Sequence, residues 1–192
     1  MDHLTVTKRA KSSCEIQEDA TLVTCLLFNK PTPYVDNGPN SLSSTESLTT
    51  IISSSHSKEA ISFNGSSFFQ TSSFTSLGIS NKSFSVALWL RPQSVLNNVV
   101  HLSADSSGLG NAWCVAILSL RSNGTILNSI YNGTGTYLWS SSISMTPTWT
   151  HVVQTYSLVN GFRSYVNGIL ISSIGPVLSY SASGKSNFYN IR

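Results

Sequence analysis

Near the end of the chain the dipeptide Asn167-Gly168 stands between two runs of β-prone residues, Phe162-Arg-Ser-Tyr-Val166 and Ile169-Leu-Ile-Ser-Ser173. Both central positions of a type I′ turn need positive φ, which Asn tolerates and Gly adopts freely, so this spacing specifies a tight hairpin. A two-residue loop also sets the register. Val166 is expected opposite Ile169 and Ser164 opposite Ile171, on the side that carries Phe162, with Arg163 and Tyr165 on the other. Just upstream, Trp149-Thr-His-Val-Val-Gln-Thr-Tyr156 leads through a break at Asn160-Gly161 into the same unit.

A second stretch alternates as cleanly. In Phe84-Ser-Val-Ala-Leu-Trp-Leu-Arg-Pro92, the residues Phe84, Val86, Leu88 and Leu90 take one face, and Ser85, Ala87, Trp89 and Arg91 the other. Pro92 ends the strand because it has no N–H to donate. Further strands are expected at 22–28, 47–52, 98–103, 136–141 and 187–192. Hairpins are expected for 59–63 with 67–70 around Asn64-Gly65, and for 112–120 with 125–131 across Ser122-Asn123-Gly124. Only 10% of the residues are charged, and polarity comes instead from Ser, Thr, Asn and Gly. Short apolar runs in such a chain point to an antiparallel β-sandwich, not to helices or disorder.

The two alternating stretches, in this order and with the shared Tyr-Val-Asn-Gly turn, resemble the laminin G-like, concanavalin A-like jelly-roll family. Ile61-Ser-Phe-Asn-Gly-Ser-Ser-Phe-Phe-Gln70 is similar to an early strand pair of that family, and Cys25–Asn40 to its opening strand and following loop. The resemblance implies a polar tail over 1–20 and one all-β jelly-roll domain over 21–192. It also implies an extracellular setting, as an excised piece of a longer protein, although the first residues show no signal peptide. The family closes on a Gly-x-(Ile/Leu)-Asp-(Asp/Glu)-(Val/Phe)-Arg strand beside the opening strand. Phe188-Tyr-Asn-Ile-Arg192 precedes any such motif, so a closing strand is expected downstream.

The resemblance also brings calcium into view, because relatives hold an ion in sheet-edge loops. Asp36, Asn37 and Asn40 occupy the matching loop and are the candidate ligands. Calcium favours six to eight oxygens, several of them carboxylate, and Asp36 is alone there, so an Asx turn is the stronger expectation. Four sequons, at Asn64, Asn81, Asn123 and Asn132, fall in expected turns and are candidate glycosylation sites. Three cysteines are an odd number. Cys25 and Cys114 are expected as buried thiols, and Cys14 has Cys25 or a cysteine beyond Arg192 as candidate disulfide partners.

Catalysis finds little support. The carboxylates are Asp2, Glu15, Glu18, Asp19, Asp36, Glu46, Glu59 and Asp105, and none follows Asp105. Glycoside hydrolysis needs two carboxylates flanking the bond, so no enzyme is expected. No Gly-x-Ser-x-Gly elbow or phosphate-binding glycine loop is present, and His151 is expected as a packed strand histidine. Lys8, Arg9 and Lys11 supply much of the +3 net charge, with no basic and aromatic stripe after them to suggest nucleic acid. The longest apolar run, 22–28, is far too short to insert in a membrane.

What remains is recognition. An aromatic ring against the apolar face of a sugar, with Asn or Arg for its hydroxyls, is the chemistry of a lectin site. Trp89, Arg91, Tyr156 and Tyr165 alternate away from the inferred core and are the candidate ligand-binding residues. The expectation is a non-catalytic extracellular recognition or adhesion module that binds carbohydrate or protein within a larger surface or matrix protein. The alternatives are a calcium-dependent lectin, a structural spacer, and an accessory domain of a multidomain enzyme.

Overall fold

The computed structural model describes residues 23–53, 58–93, 97–106, 113–176, 179–184 and 187–191. The polar tail over 1–20 and Cys14 lie outside them. Thirteen strands run through the described residues: β1 (Ser44–Ser47), β2 (Thr50–Ser53), β3 (Glu59–Ser62), β4 (Phe68–Phe74), β5 (Phe84–Leu90), β6 (Asn97–Ser103), β7 (Cys114–Leu120), β8 (Thr125–Tyr131), β9 (Thr136–Ser144), β10 (Thr150–Ser157), β11 (Gly161–Val166), β12 (Ile169–Ile174) and β13 (Asn187–Ile191). One 3₁₀ turn, Ser76–Gly78, precedes β5. Among the described residues no helix is long and apolar enough to cross a membrane.

The strands form a seven-stranded sheet in the order β1-β4-β13-β6-β7-β8-β9, a four-stranded sheet β12-β11-β10-β5, and a small pair β2-β3. Every pairing is antiparallel, and the two larger sheets pack face to face as a sandwich. Val100, Leu102, Val115, Leu118, Ile126 and Ile130 from one sheet meet Val86, Val152, Tyr156, Phe162 and Val166 from the other. Apolar burial at every second residue is what drives this arrangement.

The central hairpin forms as expected. Asn167 has φ 49° and Gly168 φ 81°, and Val166 opposes Ile169. Farther along, a bulge between Ser164 and Tyr165 places Ser164 opposite Ser172, not Ile171. At the other end of β11, Gly161 (φ 68°) is obligatory: a Cβ there would stand 2.0 Å from the Ile174 carbonyl oxygen.

Four further expectations are corrected. The 59–63 and 67–70 runs do not pair with each other: β3 joins β2, while β4 sits between β1 and β13. At the corner between them, the Ser66 amide donates to Asn64 Oδ1 (3.2 Å) and the Asn64 amide to Ser67 Oγ (2.9 Å). Side chains close that turn without a strand ladder, so the chain is free to change sheets. The described part of 22–28 is not a strand: one isolated bridge, Leu26 with Asp36, is its only pairing, and Phe28 has φ 55°. Cys114 is exposed instead of buried, because Val115 takes the first core position of β7. Tyr156, expected outside, is 2% exposed and belongs to the core. It lies directly opposite Phe84, and residues directly opposite in an antiparallel pair share a face.

Candidate functional site

The outward face of the four-stranded sheet carries three of the four expected ligand-binding residues. In β5 the outward positions are Ser85, Ala87 and Trp89; in β10 they are His151, Val153 and Thr155. The register sets Trp89 opposite His151, and the two rings stack with centroids 4.9 Å apart and planes 29° from parallel. Trp89 stays 45% exposed, so its indole presents an open aromatic surface to solvent. The hairpin tip holds the other side of this pair. The Asn167 amide donates to the His151 carbonyl (2.9 Å), and the His151 amide donates back to Asn167 Oδ1 (3.0 Å).

Arg91 continues the row beyond Trp89, with its guanidinium carbon 5.5 Å from the centre of the Trp149 ring, a cation–π distance. One row along the strands, Ala87, Val153, Tyr165 and Leu170 follow one another across the sheet, from β5 to β12. Strand spacing of ~4.8 Å and a rise of ~3.3 Å per residue put Trp89 and Tyr165 about 12 Å apart. Small Ala87 and Val153 lie between them. The next row is polar: Ser85, Thr155, Arg163 and Ser173. Asn160 Oδ1 accepts from Arg163 Nη2 (3.3 Å). The face therefore joins an aromatic ledge, a shallow apolar floor, and a border of guanidinium, hydroxyl and amide groups.

Tyr156 is absent from this face. Its hydroxyl bonds Asn81 Oδ1 (3.1 Å) inside the sandwich, and burial pushes its pKa up. His151, Arg163 and Asn167 are the site residues that sequence reasoning did not select. The signal for His151 was present, since pairing β5 with β10 through their apolar positions sets it beside Trp89.

The loop with the candidate calcium ligands has a chemistry of its own. Asp36 is 5% exposed, and its carboxylate is taken up by the loop itself. Oδ1 accepts from Thr24 Oγ1 and from the amides of Cys25 and Gly38, all at 2.8 Å, and Oδ2 accepts from the Leu42 amide at 2.8 Å. Burial alone would push its carboxyl up, but these donors more than offset that and hold it below the usual range. Asn40 Nδ2 donates to the Val23 carbonyl (2.8 Å), and the Asn37 amide to the Cys25 carbonyl (2.7 Å). Oxygens already faced by N–H and O–H donors do not fit a hard divalent cation, so Asp36 here is a clasp for the loop. Among the described residues no three His, Cys, Asp or Glu side chains gather in a metal-binding cluster. Cys25 and Cys114 are both free thiols, and burial followed by the nearby Asp36 charge raises the Cys25 pKa.

The four sequon asparagines differ in their surroundings. Asn64, Asn81 and Asn123 are exposed and Asn132 half-buried. In Asn64, Asn123 and Asn132, Oδ1 accepts from groups two or three residues ahead, an Asx turn that leaves the Nδ2 edge outward. Asn81 Oδ1 instead takes the Tyr156 hydroxyl and the Tyr180 amide (2.9 Å), tying the loop before β5 to the core.

The fold has relatives among solved structures. It aligns with the binding domain of botulinum neurotoxin DC, solved in complex with rat synaptotagmin II, at a TM-score of 0.58 and 14% identity over 91% of this chain and 44% of that one. A botulinum neurotoxin type C structure, titled for cell entry dependent on two ganglioside molecules, aligns at 0.61 and 14% over 93% and 44%. Domain 4 of AbnA, an extracellular GH43 arabinanase from Geobacillus stearothermophilus solved in complex with arabinotriose, aligns at 0.50 and 17% over 80% and 75%. The chain thus spans less than half the length of the neurotoxin domains, and identities this low establish the fold alone. No curated protein matches the chain. Residues 63–191, well over half of it, match the concanavalin A-like lectin/glucanases superfamily, and the chain belongs to that superfamily.

Proposed function

We propose that this domain is a non-catalytic recognition module of an extracellular protein, binding carbohydrate on the outward face of its four-stranded sheet. The observation that carries the reading is the stacked Trp89–His151 pair: a half-exposed indole held flat by a second ring and a hairpin tip, next to the Arg91 guanidinium. Such a ledge suits the apolar face of a pyranose or furanose ring, and the polar row through Thr155 and Arg163 suits its hydroxyls. Tyr165 provides a second aromatic contact across the shallow floor. Domain 4 of AbnA and the type C neurotoxin, whose titles name arabinotriose and gangliosides, lend support by analogy of fold.

Binding on this face is independent of calcium, because the Asp36 carboxylate is engaged by its own loop. The superfamily's description includes glucanases, but the absence of any carboxylate after Asp105 leaves this face without an acid and nucleophile pair. A glycan array with the folded protein, read in calcium and again in EDTA, tests the proposal. The expected result is saturable binding of a defined glycan set, equal in both buffers and weakened at least about tenfold by Trp89→Ala, which costs about 1.4 kcal/mol of binding. Binding that vanishes in EDTA, or that Trp89→Ala leaves unchanged, refutes this site.

A further inference from the structure

The four-stranded sheet stops at β5, and among the described residues no strand pairs with the outer edge of that strand. A groove of about 1,840 Å³ runs along the edge. All seven residues of β5, inward and outward alike, line it, which requires that the groove wrap around an open strand edge. Residues 23–29 and β3 line it as well. Residues 23–29 carry apolar side chains but have no ladder on the groove side, and Leu27 is 50% exposed. The inward side chains of β5 tell the same story: Val86 is buried, whereas Phe84, Leu88 and Leu90 are covered only in part.

Natural proteins blunt such edges with lysine, proline, a bulge or a covering loop. The Phe84–Leu90 run has none of these within it: seven uncharged residues pair with β10 in unbroken register. The charges lie around the groove instead. Lys82, Arg91 and Arg163 line it, and the carboxylate in its wall, Glu59, is engaged by Lys30 through the backbone amide (2.5 Å) and the ammonium (3.6 Å). The groove therefore joins apolar side chains, a strand edge that no described strand pairs, and two cations, Lys82 and Arg91, that flank β5.

From this geometry we infer that the β5 edge is a strand-acceptor site for an extended segment of a partner polypeptide. The segment spans about seven residues, apolar at every second position and acidic between. Its main chain extends the sheet beyond β5. Its apolar side chains cover Phe84, Leu88 and Leu90, and its carboxylates meet Lys82 and Arg91 at the two ends of β5. The site shares Trp89 and Arg91 with the aromatic ledge but depends on backbone pairing along β5 and not on ring stacking.

The test uses the full chain and synthetic nine-residue peptides that alternate isoleucine with aspartate. One version has a free backbone, one is N-methylated at alternate amides so that it cannot donate to a ladder, and one carries lysine in place of aspartate. The expected result is saturable binding of the first peptide alone, a raised thermal midpoint, and slowed amide exchange in β5. Lys82→Glu shifts the preference toward the lysine peptide. No saturable binding up to about 1 mM, or equal binding of the N-methylated peptide, overturns the proposal. A peptide of this chain's residues 12–22 that binds more tightly than the alternating one also overturns it, by making the chain its own occupant. So does a second copy that associates through β5 and is not displaced by the peptide.

Discussion

The two faces of β10 are built from similar residues and do opposite things. Inward lie Val152, Gln154 and Tyr156; outward lie His151, Val153 and Thr155. Inside, Gln154 Nε2 donates across the sandwich to Asn128 Oδ1 (2.6 Å) and to the Ile117 carbonyl (3.2 Å), and Ser164 Oγ donates to the same Asn128 oxygen (2.7 Å). The tyrosine hydroxyl is spent on Asn81. Outside, His151 spends its ring on holding Trp89 toward solvent. Side-chain type alone does not separate the packed face from the exposed one here; the parity of a residue along the strand does.

The largest effect that separates the two faces is expected from a matched pair of truncations. Tyr156→Ala removes a fully buried ring that packs on Phe84 (5.5 Å) and Tyr180 (5.7 Å). It should destabilise the fold by about 3–5 kcal/mol in urea titration. Trp89→Ala, on the other face, should cost about 1 kcal/mol or less of stability while weakening glycan binding at least about tenfold. If both variants lose stability equally, the outward aromatic is a packing residue and the contrast fails.

Asn128→Ala probes the polar part of the interior at a smaller cost. It removes the acceptor shared by Gln154 and Ser164 while Gln154 keeps the Ile117 carbonyl, so about 1–3 kcal/mol is expected. Adding Ser164→Ala to it should cost less than the sum of the two single changes, because the orphaned hydroxyl is gone. Strict additivity would mean that the cluster is not a coupled unit.

Why the parity of β10 was hard to read is plain from its residues. Val152 and Val153 are adjacent and fall on opposite faces, so the strand's own apolar pattern does not mark its buried side. Pairing with β5 marks it, because Phe84, Val86, Leu88 and Leu90 alternate without ambiguity. What was legible was local: the Asn167-Gly168 turn, the β5 alternation, and the β7–β8 hairpin around Gly124 (φ 79°). What was not legible was long-range. Nothing in Asn64-Gly65 says that β4 leaves its neighbour for another sheet, nor that β13 slots between β4 and β6. The Asp36 clasp was half visible, as an Asx turn, but its Thr24 and Leu42 partners come from separate segments.

That clasp predicts a pH dependence of the stability. Asp36 is held below the usual carboxylate range in the folded chain and has an ordinary value of about 3.9 when unfolded. The unfolded state therefore takes up the proton first as the pH drops. The stabilisation is complete above the unfolded value and is lost as the pH falls through the folded one. Thermal midpoints should decline below about pH 4, and Asp36→Asn should flatten that decline while sparing glycan binding at neutral pH. A decline that is unchanged in the variant would assign the acid sensitivity to another carboxylate.

The smallest expected effect concerns the sequons, where the same dipeptide chemistry meets two kinds of surroundings. Asn123 and Asn132 hold Asx turns in which the threonine Oγ1 of the sequon donates to Asn Oδ1, at 2.7 and 3.0 Å. A glycan on Nδ2 leaves those bonds intact, so secretion from a eukaryotic host should glycosylate both positions with a change in stability within about 0.5 kcal/mol. At Asn81 the side chain is pinned from within by Tyr156 and Tyr180 and sits at φ 58°. What sets Asn81 apart is the structure its Oδ1 supports: Asn81→Gln should lower the thermal midpoint, while Asn123→Gln leaves it in place. A midpoint unchanged in Asn81→Gln would show that the loop before β5 is not tied to the core as the hydrogen bonds indicate.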